Sequence, residues 1–145
     1  MSPRTSLPAP QTLLPHRPPM LLLEEILRWE PGRIVCRAEL GPDHPFLAPG
    51  GAGAPSALCA ELLAQAAGLE HGLGLPQGVE PQAGLLVRIA SLLLHQPVIP
   101  LGACLEIDAR LEAQRGPLAS YRGEIRIGAQ PVAECRLSVY RSPAV

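Results

Sequence analysis

The sequence contains no lysine, so its 12 basic residues are all arginine. This absence excludes reactions that use a lysine Schiff base or a lysine general base. The guanidinium groups that remain are suited to planar recognition of carboxylates and phosphates. The 13 acidic residues bring the formal net charge to −1. That balance gives no indication of nucleic-acid binding or of attachment to an anionic membrane.

Long apolar runs and paired cysteines are missing as well. No segment approaches the ~20 apolar residues that a membrane-spanning helix needs, and residues 1–10 lack the apolar core of a secretory signal. The cysteines at 36, 59, 104 and 135 form no Cys-x-x-Cys pair, so no metal and no other cofactor is predicted. We therefore expect a cytoplasmic protein with reduced thiols.

What remains is the composition of a small globular protein. The chain has 145 residues, of which 47% are hydrophobic, and this length fits one domain with a real core. Six prolines fall within the first 19 residues and exclude a long helix or a central strand there. We predict a loose leader over 1–10 and a single domain over 11–145, beginning with a short helical turn over 11–20.

The N-terminal part of that domain predicts a hairpin. Residues 21–29 are apolar and then mixed, residues 30–33 (EPGR) have turn chemistry, and residues 34–40 alternate apolar and polar side chains. Residues 41–55 hold four glycines and four prolines, which predicts a loop. A loop of that length is often functional.

One long helix is predicted over residues 55–72, with Pro55 at its first position and Gly72 at its end. Its body is apolar nearly all round, which is typical of a helix buried on most sides. After a second loop over 72–84, residues 85–94 are almost continuously apolar, as in a strand buried on both faces. Three strands with one polar face each follow, at 105–111, 121–127 and 133–139.

Together these elements predict an α+β fold: a hairpin, one buried helix, and a four-stranded antiparallel meander whose sheet covers the helix. Such a sheet leaves its edges exposed. We therefore expect a dimer that continues the sheet.

Two polar residues stand out in the apolar helix. Glu61 is a lone carboxylate in apolar surroundings, which is costly unless the group is paired or has a function. Gln65 lies four residues on and shares its helical face, and Ala57 and Gly68 leave room for a ligand beside the pair. An acid/base role for Glu61 and a purely structural hydrogen bond between the two side chains explain the pattern equally well.

The approach to the helix is rich in glycine. Gly50, Gly51 and Gly53 permit close approach to the backbone, and the N–H groups of a helix start favour developing negative charge. The enolate of a thioester would be stabilised there. A plain flexible loop is the simpler interpretation of the glycines alone.

The histidines show no metal-binding spacing. His16 lies in a rigid proline-rich segment, His71 at the helix end, and His95 at a strand end, and a structural or surface role is expected for each. His44 lies in the loop before the helix and is the strongest candidate for chemistry among them.

Four segments, taken in order, resemble the FabZ-type 3-hydroxyacyl-acyl-carrier-protein dehydratases. Residues 13–23 contain LPHRPPMLLL, residues 29–35 read WEPGRIV, residues 61–68 read ELLAQAAG, and residues 97–102 read PVIPLG. The resemblance implies a hot-dog fold, in which an antiparallel sheet wraps around one long central helix, and a dimer with two sites across its interface. It also implies that Glu61 is a catalytic group.

The chain departs from that family just before the helix. The family's catalytic histidine lies in a GHFPG motif, and here residues 48–55 read APGGAGAP. The hot-dog proteins of aryl-polyene biosynthetic clusters are similar to this chain in that loop and in the DHPF segment at 43–46. Such clusters pair hot-dog proteins, so the resemblance implies that a partner subunit can supply missing groups.

Three functions follow as expectations. The first is a dehydratase-like enzyme that acts on acyl thioesters of acyl carrier protein or coenzyme A in fatty acid or polyene biosynthesis. Its catalytic residues would be Glu61 and His44, and its substrate-binding residues Gln65, Gly50, Gly51, Gly53 and Ala57. The second is a non-catalytic hot-dog subunit, in a homodimer or a hetero-oligomer, that supports an active dehydratase. The third is an acyl thioesterase, in which the glutamate activates water.

Overall fold

A computed structural model describes residues 7–80 and 84–141 of the chain. One helix and eight strands follow a short 3-10 turn at Pro10–Thr12. The elements, in chain order, are β1 (Glu25–Glu30), β2 (Arg33–Glu39), β3 (Gly53–Pro55), α1 (Leu58–Gly74), β4 (Gly84–Leu94), β5 (Val98–Pro100), β6 (Cys104–Arg115), β7 (Leu118–Ile127) and β8 (Gln130–Arg141).

Six strands form one antiparallel sheet in the order β1-β2-β6-β7-β8-β4, and β3 pairs with β5 apart from it. Helix α1 lies against one face of the large sheet and contacts β2, β6, β7, β8 and β4. The core fills the space between them, and most of the helix is buried in it. The predicted arrangement of one helix covered by an antiparallel sheet is confirmed. Within the described residues, no helix is long and apolar enough to cross a membrane.

The strands β6, β7 and β8 alternate as predicted, because a period of two sends successive side chains to opposite faces. In β7, Ala119, Tyr121 and Ile125 are buried against the helix side, whereas Arg122 and Arg126 are exposed on the outer face. This alternation fixes the register, since a slip by one residue would turn the apolar set toward water.

Strand β4 differs from the prediction in both place and burial. It does not join a four-stranded meander but crosses to the far edge and pairs with β8, the last strand. It is not buried on both faces either, because Leu85 is 62% exposed and Leu93 is 54% exposed. Continuous apolarity had indicated a strand buried on both faces, whereas the structure places this apolar strand at an edge of the sheet where no other described strand pairs with it.

Several boundaries also move. Pro55 does not begin the helix but ends β3, opposite Val98, and so the predicted loop over 41–55 contains a short strand. The helix continues two residues past Gly72. Of the second loop, residues 81–83 lie outside the described residues, as do residues 1–6 of the predicted leader. Within that leader, Leu7 contacts the core and Pro10 is buried.

Helix α1 packs tightly against β7 at Gly123. A Cβ atom added there would overlap the side chain of Leu63, which is fully buried. The absence of a side chain at this position therefore makes room for Leu63 between the helix and the sheet.

Gly123→Ala is expected to destabilise the protein by about 1–3 kcal/mol, because an overpacked core must shift side chains or backbone. Urea unfolding measures the change. Gly41→Ala is the matched control, since nothing lies within 4 Å of a Cβ at that position, and its effect should stay within about 0.5 kcal/mol. Equal stability of the two variants would contradict this account of the helix position.

Candidate active site

Gln65 connects the helix to the N-terminal segment and orients Glu61. Its side chain is 1% exposed. Its Nε2 donates to the carbonyl oxygen of Met20 and to Oε1 of Glu61, both at 2.9 Å. Its Oε1 accepts from the backbone N–H of Leu22 at 3.0 Å. The predicted hydrogen bond between the two side chains is present, and Gln65 also holds the chain that crosses the helix.

Glu61 is less buried than its apolar surroundings in the sequence had indicated. Its side chain is 35% exposed. The reason is that this face of α1 turns away from the sheet, so that Ala64 and Gly68 on the same face are also only half-buried. Glu61 is therefore not a lone carboxylate in apolar surroundings, since it is half-exposed and has Gln65 and His16 beside it.

The histidine beside Glu61 is His16. Its Nε2 lies 3.6 Å from Oε1 of Glu61, and its side chain is 33% exposed. Arg17 stiffens this segment by donating from Nη1 to the carbonyl oxygens of Leu14 and His16, each at 2.8 Å. Sequence reasoning had given His16 a structural role only. The signal that could have found it is its position in the segment that Gln65 ties to the helix.

His44 is held within its own loop. Its Nδ1 accepts from the backbone N–H of Phe46 at 3.2 Å, and the two rings lie 6.0 Å apart. Burial lowers the pKa of His44. Phe46 lines a cavity together with Glu61, whereas His44 is not among the described residues that line it.

Two cavities meet at the His16–Glu61 pair, which lines both. The first is open, has a volume of about 600 Å³, and lies at the start of α1. Its other lining residues are Met20, Phe46, Pro55, Ala57 and Leu58. The second is narrow, has a volume of about 100 Å³, and follows α1 from Glu61 and Gln65 past Gly68 to His71 and Arg141. The carboxylate of Glu61 and the imidazole of His16 therefore lie between the open apolar cavity and the narrow cavity.

The helix start lies at the open cavity, but the glycines before it do not. Ala57 caps α1 without a side-chain hydrogen bond and lines the cavity. Gly50 and Gly51 form a turn with φ values of 97° and 72°, which other residues adopt rarely. Gly53 lies in β3, where a Cβ would overlap the carbonyl of Ile99. The structure therefore places Ala57 and Gln65 close to Glu61. The glycines are required instead by the conformation and the close packing of their own backbone.

A polar network that sequence reasoning missed closes the far end of the narrow cavity. Tyr121 donates to Oε2 of Glu70 at 2.6 Å, and the backbone N–H of Gly32 donates to Oε1 of Glu70 at 2.8 Å. Arg141 donates to the hydroxyl of Tyr121 and to Nδ1 of His71, the latter at 2.8 Å. The sequence feature that could have revealed this network is Glu70, because it is a second carboxylate in the same apolar helix.

The cysteines offer no reactive thiolate in the core. Burial raises the pKa of Cys36 and of Cys59 to about 12, and that of Cys135 to about 11. Cys59 therefore serves packing, as expected. Among the residues that the structure describes, no group of three His, Cys, Asp or Glu side chains is placed to hold a metal ion.

Known proteins resemble this chain over nearly its whole length. A family model described as ApeP-like dehydratase matches residues 8–145. The 3-hydroxyacyl-acyl-carrier-protein dehydratase FabZ of Anaeromyxobacter sp. (strain K) is 35% identical over 129 residues, covering 86% of this chain and 82% of the relative. FabZ of Chlamydia trachomatis serovar L2 is 33% identical over 133 residues, covering 88% and 86%.

Solved structures agree with the fold. The dehydratase heterocomplex ApeI:P from Xenorhabdus doucetiae superposes with a TM-score of 0.87 at 27% identity, covering 94% of this chain and 93% of the matched chain. A hypothetical thioesterase with coenzyme A from Streptococcus pneumoniae TIGR4 has a TM-score of 0.64 at 17% identity, covering 83% and 86%, and shares the fold alone. The hot-dog fold and the FabZ-like resemblance predicted from the sequence are confirmed.

Gln65→Leu is expected to cost about 1–3 kcal/mol of stability, because it leaves the Leu22 N–H and the Met20 carbonyl without their side-chain partner. Urea unfolding measures the loss. Gln96→Leu serves as control, since Gln96 makes only one exposed contact, at 3.2 Å to the Val98 carbonyl. A Gln65→Leu protein as stable as the control would show that the N-terminal segment is held by other contacts.

Proposed function

This chain belongs to the ApeP-like dehydratase family, and we propose that it acts on 3-hydroxyacyl thioesters and removes water from them. The observation that carries the proposal is the His16–Glu61 pair at the junction of the two cavities. The open apolar cavity suits the arm that carries the thioester, and the narrow cavity suits the acyl chain. The carrier that fits the relatives' printed activity is acyl carrier protein, with coenzyme A as the alternative, in fatty acid or polyene biosynthesis.

The chemistry needs a base at C2 and an acid at the C3 hydroxyl. The electrons of the C2–H bond form the C2=C3 double bond, while the C3–O bond breaks and the departing hydroxyl takes a proton to leave as water. Glu61 is the proposed acid/base group, oriented by Gln65. Backbone N–H groups at the start of α1, beside Ala57, are proposed to stabilise the negative charge that develops on the thioester oxygen.

The second acid/base group has two candidates within the chain. The sequence favoured His44, which lies in the loop before the helix. The contact of 3.6 Å with Glu61 favours His16 instead. A third source is a partner subunit, because the family histidine before the helix is replaced here by the segment at 48–55.

We propose that this partner binds at the exposed strand β4. Among the described strands none pairs with its outer edge, and exposed apolar side chains lie on both of its faces: Leu85, Leu86, Val87, Ile89, Leu93 and Leu94. An apolar edge of this kind is a template for pairing with another strand. The similar Xenorhabdus protein was solved as a heterocomplex. We propose a second hot-dog subunit, either another copy of this chain or a homologue, that continues the sheet at β4.

A non-catalytic role is the second candidate. It is favoured by the same replacement at 48–55, since a subunit without its own second acid/base group would support an active homologue rather than turn over alone. Turnover by the isolated chain and by the chain with its partner decides between the two.

Glu61→Gln is expected to lower dehydration by at least about 100-fold, since one acid/base group contributes 10²–10⁴-fold. The glutamine keeps a carbonyl that accepts from Gln65, so folding is preserved. Mass spectrometry of 3-hydroxyacyl-carrier protein, incubated with the chain and its partner, reads the loss of water. Release of free thiol in the same assay would indicate the thioesterase instead.

The same assay is applied to the variants His16→Asn and His44→Asn. The variant that lowers dehydration more identifies the second acid/base group. Glu106→Gln is the control, because it removes an exposed carboxylate on the outer face of β6. Undiminished turnover in Glu61→Gln would overturn the proposed mechanism.

Ile89→Asp is expected to prevent assembly, because it places a charge in the apolar strand that the partner covers. Analytical ultracentrifugation reads the loss of the dimeric or heteromeric species, and circular dichroism confirms the fold. Leu27→Asp is a matched control on β1, the opposite edge, where Leu27 is 40% exposed. Assembly that survives Ile89→Asp but not Leu27→Asp would place the interface at the other edge.

A further inference from the structure

The narrow cavity connects two polar ends along one face of α1. Glu61, Gln65, Gly68 and His71 follow one another at intervals of three or four residues and therefore share that face. Ten residues separate Glu61 from His71, which is about 15 Å along the helix at 1.5 Å per residue. A substrate whose reacting carbons lie at Glu61 thus extends its acyl chain toward His71.

The network at the far end fixes which atom of His71 can bind a ligand. A guanidinium only donates, so Nδ1 of His71 must accept the 2.8 Å hydrogen bond from Arg141. The remaining proton of the neutral ring then sits on Nε2. Burial and the charge of Arg141 both lower the pKa of His71, which keeps the ring in this neutral form near pH 7.

Arg141 is itself held by buried partners. It is 8% exposed, it donates to the hydroxyl of Tyr121, and its Nη2 lies 3.8 Å from Oε2 of Glu70. Its charge is therefore balanced inside the protein, and its donors are directed at the network. The arrangement leaves one donor on a residue that lines the cavity end, the Nε2–H of His71, which donates to no other group among the described residues.

We propose that His71 recognises an oxygen at the distal end of the acyl chain, so that the protein prefers chains ending in a neutral hydroxyl or keto group over chains ending in a methyl group. The inference rests on the proposed function, since it assumes an acyl chain in the narrow cavity. A methyl end would displace water from the Nε2–H of His71 and offer no acceptor in its place, which is costly. A carboxylate end would lose its own hydration, and it would find the charge of Arg141, which lines the cavity, already balanced by Glu70.

The test measures binding, not turnover. Saturated acyl-pantetheine thioesters without a 3-hydroxyl cannot be dehydrated, and they can be made in equal lengths with a methyl, a hydroxyl or a carboxylate at the far end. Titration calorimetry with the full chain should show the hydroxyl chain binding about three- to ten-fold more tightly than the methyl chain, as one added hydrogen bond gives. The carboxylate chain should bind no more tightly than the methyl chain.

Variants of His71 then separate recognition from folding. His71→Phe should abolish the preference for the hydroxyl chain. His71→Gln should restore part of it, because a glutamine can accept from Arg141 and still donate to the ligand. His95→Phe is the control, since His95 contacts Glu134 at 3.0 Å and does not line the cavity. It should keep the full preference.

Failure of the inference about His71 can be distinguished from failure of the proposed function. Equal affinity of the wild-type chain for the methyl and hydroxyl chains, or a preference that survives in His71→Phe, overturns the inference while acyl binding and the proposed function stand. Failure of every chain to bind overturns the inference and the placement of the acyl chain together, and the dehydration assay then reports on the proposed function independently.

Discussion

The structure depends on covering a helix that is apolar nearly all round. One sheet buries only one side of α1, through contacts such as Leu63 on Gly123. The opposite side needs a second cover, and the N-terminal segment provides it, with Leu14 placed so close to Gly68 that a Cβ there would lie 2.9 Å from Leu14 Cδ2. Because that cover is a single proline-rich segment, it leaves space beside the helix. The two cavities that meet at Glu61 are both lined by His16 of this segment.

The polar groups of α1 follow from the same constraint. A carboxylate or amide in an apolar helix must find partners, and each one here ties the helix to a different part of the chain. Gln65 holds the N-terminal segment through Met20 and Leu22, while Glu70 holds the β1–β2 turn and β7 through Gly32 and Tyr121. Of these three side chains, Glu61 is the one that lines the open cavity, and for that reason it is available for chemistry.

The local pattern of the sequence was sufficient for much of this fold. Alternation predicted β6, β7 and β8, and the apolar run between glycine-rich loops predicted α1 within about three residues at either end. The pattern failed where the answer depends on distant parts of the chain. An apolar run cannot distinguish a strand buried on both faces from an exposed edge strand, so β4 was misplaced. Likewise His16 lies 45 residues before Glu61, and long-range contacts, namely the hydrogen bonds of Gln65 and the packing of Leu14 against Gly68, bring that segment to the helix.

The proposed partner subunit would account both for the exposed edge of β4 and for the segment at 48–55. If that partner supplies the second acid/base group, it must lie close to Glu61. Leu86 of β4 lines the narrow cavity, so a partner bound at β4 would lie beside the wall of that cavity. Assembly and the shape of the site are then linked, because a change in the position of β4 changes the space between Leu86 and α1.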